Sequence, residues 1–576
     1  MKSFLKTLLA VLLAQLILFG AAALFVAGKL RDDVEVEDGS VLVQSLDGSI
    51  PESDPVGGLP FGPQVLSHTG IIENLEKARH DERIAAVVLR IGSPQIGYGK
   101  MGELRERIAQ IRAVGKPVWA YTSWLSTRGL YLGSACDSLF LLPAGYVSVR
   151  GTAAARPFLA GTLEKLGVEE NLHRIEHYKS AAEMMQRRDF SPSARENVEW
   201  LLDEFYPAVV SSIEHERGLP PGTLEKAAMS EGVLVPAEAL ELGLVDGLPY
   251  WDEIETALLS VPGVEARKRD RDELPPRPRT IVGGDYTEVE RHEAGIDTES
   301  KIAVVHAMGM IQGEESGMTF PFGPTMGAAT MSRAFREAAE DEDVAAIIFR
   351  IDSGGGESST SWRIQRAMLR AAEQKPVVVS MLDMAGSGGY LICYPCETLV
   401  ANDLSVVGSI GSISGKFNLR GLYDKLGITW DFVTRGPNAL MESDYFDYTE
   451  EQWASFKQRH WRDYQDWVAD IAHYRNKTSA EIDSVGRGRV FTGRQAHEIG
   501  LIDTLGTFDV AVAIAKQRAG IEADEEVEFV HLPVAAGPLE MLRRGGLGAA
   551  VLALIEEWSV PLRREESWAI DPNRYW

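Results

Sequence analysis

The chain has 576 residues, 45% of them hydrophobic and 25% charged, with a formal net charge of -26. That length exceeds one ordinary core, the composition excludes a disordered chain, and the surplus of carboxylates excludes a general nucleic-acid binder, which needs cations to displace counterions from phosphate. Three cysteines, Cys136, Cys393 and Cys396, are too few for a disulfide framework and leave any zinc site incomplete; they read as buried structural thiols, and no metal or cofactor is expected.

Residues 8–28 form an apolar run of 21 residues interrupted by Gln15 alone. About 20 residues suffice to span a bilayer as a helix. Lys2 and Lys6 precede the run and an acidic stretch follows it, so residues 1–34 are expected to anchor the chain with its N-terminus in the cytoplasm and its bulk outside. The alternative is cleavage near Ala21-Ala22-Ala23, which leaves the bulk on the same side of the membrane.

Beyond the anchor the sequence is duplicated. Ile84-Ala-Ala-Val-Val-Leu-Arg-Ile91 recurs 260 residues later as Val344-Ala-Ala-Ile-Ile-Phe-Arg-Ile351. Gly115-Lys-Pro-Val118 recurs as Gln374-Lys-Pro-Val377, Leu163-Glu-Lys-Leu-Gly-Val168 as Tyr423-Asp-Lys-Leu-Gly-Ile428, and Ala239-Leu-Glu-Leu-Gly-Leu-Val-Asp246 as Ala496-His-Glu-Ile-Gly-Leu-Ile-Asp503. Matches in constant order and at nearly constant offset mean two copies of one domain. The expected division is a first repeat over 35–264, a charged and proline-rich linker over 265–299, a second repeat over 300–520 and a tail over 521–576. The apolar segment 547–555 in that tail is too short to span a membrane, so it reads as a helix docked on a neighbour or on the membrane surface.

Within the second repeat, short apolar runs at 302–305, 345–351 and 377–381 read as strands, and patterned stretches at 331–341 and 360–373 read as helices. Such alternation predicts an α/β fold with a largely parallel sheet covered by helices.

The copies differ in their polar residues. Ser148-Val-Arg-Gly-Thr152 stands opposite Ser405-Val-Val-Gly-Ser409, which makes the glycine-flanked Ser409 the candidate nucleophile and places Thr152 at its counterpart. Ser93-Pro-Gln-Ile-Gly97 stands opposite Ser353-Gly-Gly-Gly-Glu357, a glycine turn whose backbone amides are candidates for stabilising an oxyanion. Neither His306 nor His177 sits in a recognisable triad pattern, and Gly408-Ser409-Ile-Gly411 is not a G-x-S-x-G elbow. A lysine is the other option for a base. Lys179, in Glu176-His-Tyr-Lys-Ser180, lies in the first copy, where the second has Ala439. Its pKa must fall towards neutrality for it to serve.

Taken together, the anchor, the duplication, Arg350-Ile-Asp-Ser-Gly-Gly-Gly356, Met384-Ala-Gly-Ser-Gly-Gly-Tyr390 and Val407-Gly-Ser-Ile-Gly411 resemble the long, duplicated form of the signal peptide peptidase A (protease IV) family. The resemblance implies two tandem repeats similar to Clp protease and crotonase, and a Ser-Lys dyad of Ser409 as nucleophile and Lys179 as general base. It also implies oxyanion contacts from Gly355 and Gly356, apolar peptides such as cleaved signal peptides as substrates, and a homotetramer on the periplasmic side of a bacterial inner membrane. One departure concerns the turn. The family usually has asparagine and proline where this chain has Asp352 and Gly354, which loosens the turn and brings a charge near it. An acyl-CoA-binding enzyme of the crotonase type and a catalytically inactive scaffold of the same fold are the alternatives.

Overall fold

A computed structural model describes residues 34–53, 66–229, 232–267, 276–319 and 323–534. The first repeat contributes strands β1 (Ser40–Ser49), β2 (Ile84–Gln95), β3 (Val118–Ser126), β4 (Ser138–Ser148), β5 (Glu169–Arg174) and β6 (Thr280–Val282). All but β5 join one parallel sheet in the order β4-β3-β2-β1-β6. Thus part of the stretch expected as a linker adds an edge strand to the first sheet.

The second repeat begins with β7 (Ser300–Met308), followed by β8 (Met310–Ile311), β9 (Gly317–Thr319) and β10 (Gly323–Met326), which form a small separate sheet. It continues with β11 (Val344–Ser353), β12 (Val377–Gly386), β13 (Leu399–Ala401), β14 (Val406–Gly408), β15 (Ile413–Asn418), β16 (Val490–Thr492), β17 (Thr504–Leu505) and β18 (Val527–Leu532). The main sheet runs β16-β14-β12-β11-β7-β18, with β13 and β17 branching from β12, and is parallel except where β16 meets β14. Strands β7, β11 and β12 contain the three expected runs, and helices Ala328–Glu340 and Ser358–Ala372 overlie the two expected helices.

The central runs of these strands are nearly continuously apolar because both faces of the sheet are covered. In β11, Ile347, Phe349 and Ile351 face helices Ala328–Glu340 and Ser358–Ala372, whereas Ala346 and Ile348 face helix Phe508–Ala519. The first repeat does the same with β2: Val87, Leu89 and Ile91 join one core, Ala86 and Val88 the other, against Ile254 and Leu258. Burying each large side chain of this kind contributes roughly 1.5–3 kcal/mol.

The duplicated motifs do equivalent structural work. Lys116 Nζ donates to the carbonyls of Ala78 and Asp81 at the end of helix His68–His80, and Lys375 donates to those of Ala338 and Asp341 at the end of helix Ala328–Glu340. A lysine there satisfies orphan carbonyls and meets the negative end of the helix dipole. The recurring aspartates likewise accept from strand amides, Asp246 from Leu139 and Asp503 from Leu399.

Two of the contacts between the repeats fix how they sit together. Arg350 of β11 is buried and donates to Glu52 and Glu103 of the first repeat, at 2.6–2.9 Å. The other contact is the antiparallel pairing of β5 with β15, from Glu169 opposite Asn418 to Arg174 opposite Ile413.

Among the described residues no helix is long and apolar enough to cross a membrane. The apolar run 8–28 and the segment 547–555 lie outside the described residues. All three cysteines are free thiols and buried.

Candidate active site

Ser409 and Lys179 meet because of the seam between the repeats. Strand β14 pairs with β12 so that Gly408 lies opposite Gly386, which brings Ser409 and Ser387 to the ends of adjacent parallel strands. Four residues beyond Ser409 the chain enters β15, and β5 pairs with it. The chain leaving β5 is then held by Ile175 N–H donating to Ser412 O, at 2.9 Å, and by Tyr178 N–H donating to Arg487 O, at 3.1 Å. Lys179 follows at once.

Its side chain is buried, the residue being 5% exposed. Nζ lies 2.9 Å from Ser409 Oγ, 2.8 Å from Ser409 O and 2.8 Å from Ser387 Oγ. No carboxylate pairs with it among the described residues, and burial lowers its pKa from the ordinary 10.5 to about 7. A neutral amine has two N–H donors and one lone pair. The three contacts match that inventory if Nζ donates to Ser409 O and Ser387 Oγ and accepts from Ser409 Oγ–H.

The loop before β16 holds both halves in place. Arg489 O accepts from Ser409 N–H at 2.7 Å, and Gly488 N–H donates to Ile410 O at 2.8 Å. Gly488 has φ +89° and lies so close to Lys179 that a Cβ there would overlap the lysine backbone. The Arg489 guanidinium lies over the rings of Tyr178 and Trp200 and donates to Tyr178 Oη and to Glu196. Among the described residues, five other than glycine have a left-handed φ, and four of them, Glu176, Ser387, Ser409 and Arg487, bracket this site. Strain of that kind persists only where surrounding contacts enforce it, and it concentrates at functional sites.

The glycine turn borders the serines. Gly355 packs against Ser387 and Gly388, and its N–H donates to Ser353 Oγ at 3.1 Å. Gly356 N–H makes no hydrogen bond among the described residues, and Gly356 is exposed. Asp352 does not point a bare charge at the site: Lys100 Nζ of the first repeat lies 3.3 Å from its Oδ2.

The other candidates lie elsewhere. His306 is buried on β7, 2.9 Å from His531, on the wall of a cavity of about 380 Å³ between the repeats, and His177 is exposed beside Glu176. Thr152 and Ala439 are exposed. In the first repeat, Thr127 occupies the place of Ser387 and is closed on itself, donating to Arg150 O and accepting from Arg150 N–H. Ser387 and the 486–489 loop are the site residues that sequence reasoning did not single out. The only signal for Ser387 was its glycine-rich setting, Met384-Ala-Gly-Ser-Gly-Gly-Tyr390.

A serine hydroxyl beside a buried lysine, at the ends of parallel strands, has the chemistry of a serine hydrolase. The profile of peptidase family S49 matches residues 110–264 and 370–522, one match in each repeat. A chloroplastic serine protease SPPA of Arabidopsis thaliana is 33% identical over 521 residues, covering 90% of this chain and 75% of that protein. Protease 4 of Salmonella typhi is 31% identical, covering 78% of this chain and 72% of that protein, and Protease 4 of Haemophilus influenzae is 26% identical, covering 81% and 75%. The chain belongs to peptidase family S49, in its duplicated form, and is a serine peptidase.

Proposed function

We propose that the protein is a membrane-anchored endopeptidase that hydrolyses apolar peptides, such as cleaved signal peptides, with Ser409 as nucleophile and Lys179 as general base. The observation that carries this reading is the 2.9 Å contact between Ser409 Oγ and a lysine that no carboxylate among the described residues stabilises as ammonium. Neutral Lys179 takes the Oγ proton as Oγ attacks the peptide carbonyl, and the oxyanion that forms meets the free Gly356 amide. The ammonium then returns the proton to the leaving amine, leaving an acyl-enzyme. Water, deprotonated by the same lysine, releases the acid. The first repeat supplies the base and the second the nucleophile. Asp352 is the strongest argument for an inactive scaffold, and its pairing with Lys100 weakens that argument.

Since the base must be neutral, kcat/KM is expected to rise about tenfold per pH unit below pH 7 and to level off above it. A profile from pH 5 to 9 measures this, and a flat profile between pH 5 and 7 would remove Lys179 as the base.

Residues 8–28 are the proposed anchor, holding the repeats on the periplasmic side of a bacterial inner membrane. Assembly as a homotetramer is supported by a strand pair that each chain uses once. The repeat counterparts of β5 and β15, near 429–434 and 153–159, carry no strand, and Trp430 and Val433 there are exposed. Pairing them between copies makes a head-to-tail contact of the kind that closes rings. Light scattering of the detergent-solubilised protein is expected to give four copies; a monomer would sink the proposal.

A further inference from the structure

We infer that Lys100 is a positioning residue for the reaction: contributed by the first repeat, it binds the ends of the two strands that carry the glycine turn and Ser387. The inference rests on the Ser409–Lys179 reading above.

Lys100 lies in helix Tyr98–Ala113 and is buried. Its Nζ is 3.3 Å from Asp352 Oδ2 and 3.9 Å from Asp383 Oδ2. The two aspartates stand on adjacent strands. Asp352 is two residues before Gly354, and its carbonyl accepts from Gly309 N–H at 2.9 Å. The next residue, Ser353, donates from Oγ to Gly309 O at 2.6 Å and accepts from Gly355 N–H, so the backbone at Asp352 sets the turn. Asp383 is four residues before Ser387, within the stretch of β12 where the register with β11 shifts.

The first repeat is built to receive Asp383. Its carboxylate accepts from Gly97 N–H and Lys100 N–H, both at 3.1 Å, and a Cβ at Gly97 would overlap it. Burial and the charge of Asp352 push Asp383 above the usual carboxylate range, so the pair is costly without a cation. Glu52 and His68 are the next titratable groups around the three. Glu52 is held by Arg350 and His68 by Glu103, which leaves Lys100 to face both aspartates. At the matching positions the first repeat has Gly92 and Ser123, so the acidic pair belongs to the repeat that carries Ser409.

Removing the ammonium leaves two carboxylates repelling each other at the root of the turn. In the full-length, detergent-solubilised protein, Lys100→Met is expected to lower kcat about 10- to 100-fold, with KM within about twofold, because a small misplacement of groups acting only in the transition state costs that much. Adding Asp352→Asn to Lys100→Met is expected to recover at least tenfold of the loss, which a merely structural lysine would not allow. Wild-type kcat in Lys100→Met, or no recovery in the double variant, overturns the inference. If Lys100→Met alone fails to fold, the double variant decides: kcat within about fivefold of wild type supports the inference, and a larger loss overturns it. Ser409→Ala in the same assay separates this inference from the one beneath it. An active Ser409→Ala overturns both; an inactive Ser409→Ala beside a fully active Lys100→Met overturns this one alone.

Discussion

Lys179→Met is expected to lower peptide turnover by roughly three orders of magnitude while raising thermal stability. The first effect follows from losing the only base within reach of Ser409 Oγ among the described residues. The second follows from the cost of burying a lysine without a counterion. Its folded pKa of about 7 lies below its ordinary 10.5, so between those values the unfolded chain binds more protons than the folded one. Stability contributed by this group therefore rises with pH through that window, and below pH 7 the full penalty of several kcal/mol is in force. Methionine has similar length and no charge to desolvate. Thermal melts at pH 7 and pH 9 are expected to show the gap between wild type and variant narrowing at the higher pH. A variant that loses activity and stability together at pH 7 would show Lys179 to be a structural residue instead.

Much of the fold was legible because parallel strands covered on both faces leave nearly continuous apolar runs. The segment 344–351 is such a run, and its counterpart at 84–91 repeats it almost residue for residue. The same duplication exposed the asymmetry of polar residues from which Ser409 and Lys179 were read, and the two lie 2.9 Å apart although 230 positions separate them in sequence.

What brings them together was not legible. Strand β5 reads Glu-Glu-Asn-Leu-His-Arg and β15 reads Ile-Ser-Gly-Lys-Phe-Asn, with neither an apolar run nor clean alternation. They pair at a half-solvated seam where backbone hydrogen bonds, rather than a buried face, decide the partner. The strand at 280–282 was hidden for a similar reason, being a three-residue edge inside a charged stretch. Asp352 read as a charge threatening the oxyanion because its partner, Lys100, is about 250 residues away in the other repeat. Arg489 and Gly488 carry no motif. Their roles arise from close approach to Lys179 and Tyr178, which only the folded chain creates.

Ser409→Ala is expected to abolish both turnover and covalent labelling by a fluorophosphonate probe, whereas Ser387→Ala is expected to keep labelling and lose about tenfold in kcat. The comparison matters because Lys179 Nζ touches both hydroxyls, and both serines have left-handed backbones at the ends of adjacent strands. Ser409 is distinguished by a second contact, its carbonyl also accepting from Nζ, which leaves the lysine lone pair for its own hydroxyl. Ser387 then acts as an acceptor that orients the amine. An acceptor favours the ammonium more than the amine, so its loss lowers the pKa of Lys179, and the midpoint of the pH profile in Ser387→Ala is expected to shift downward. That shift separates an orienting hydroxyl from a merely packed one. Labelling that survives Ser409→Ala and disappears in Ser387→Ala would transfer the nucleophile to Ser387, leaving Lys179 as the base for the other serine.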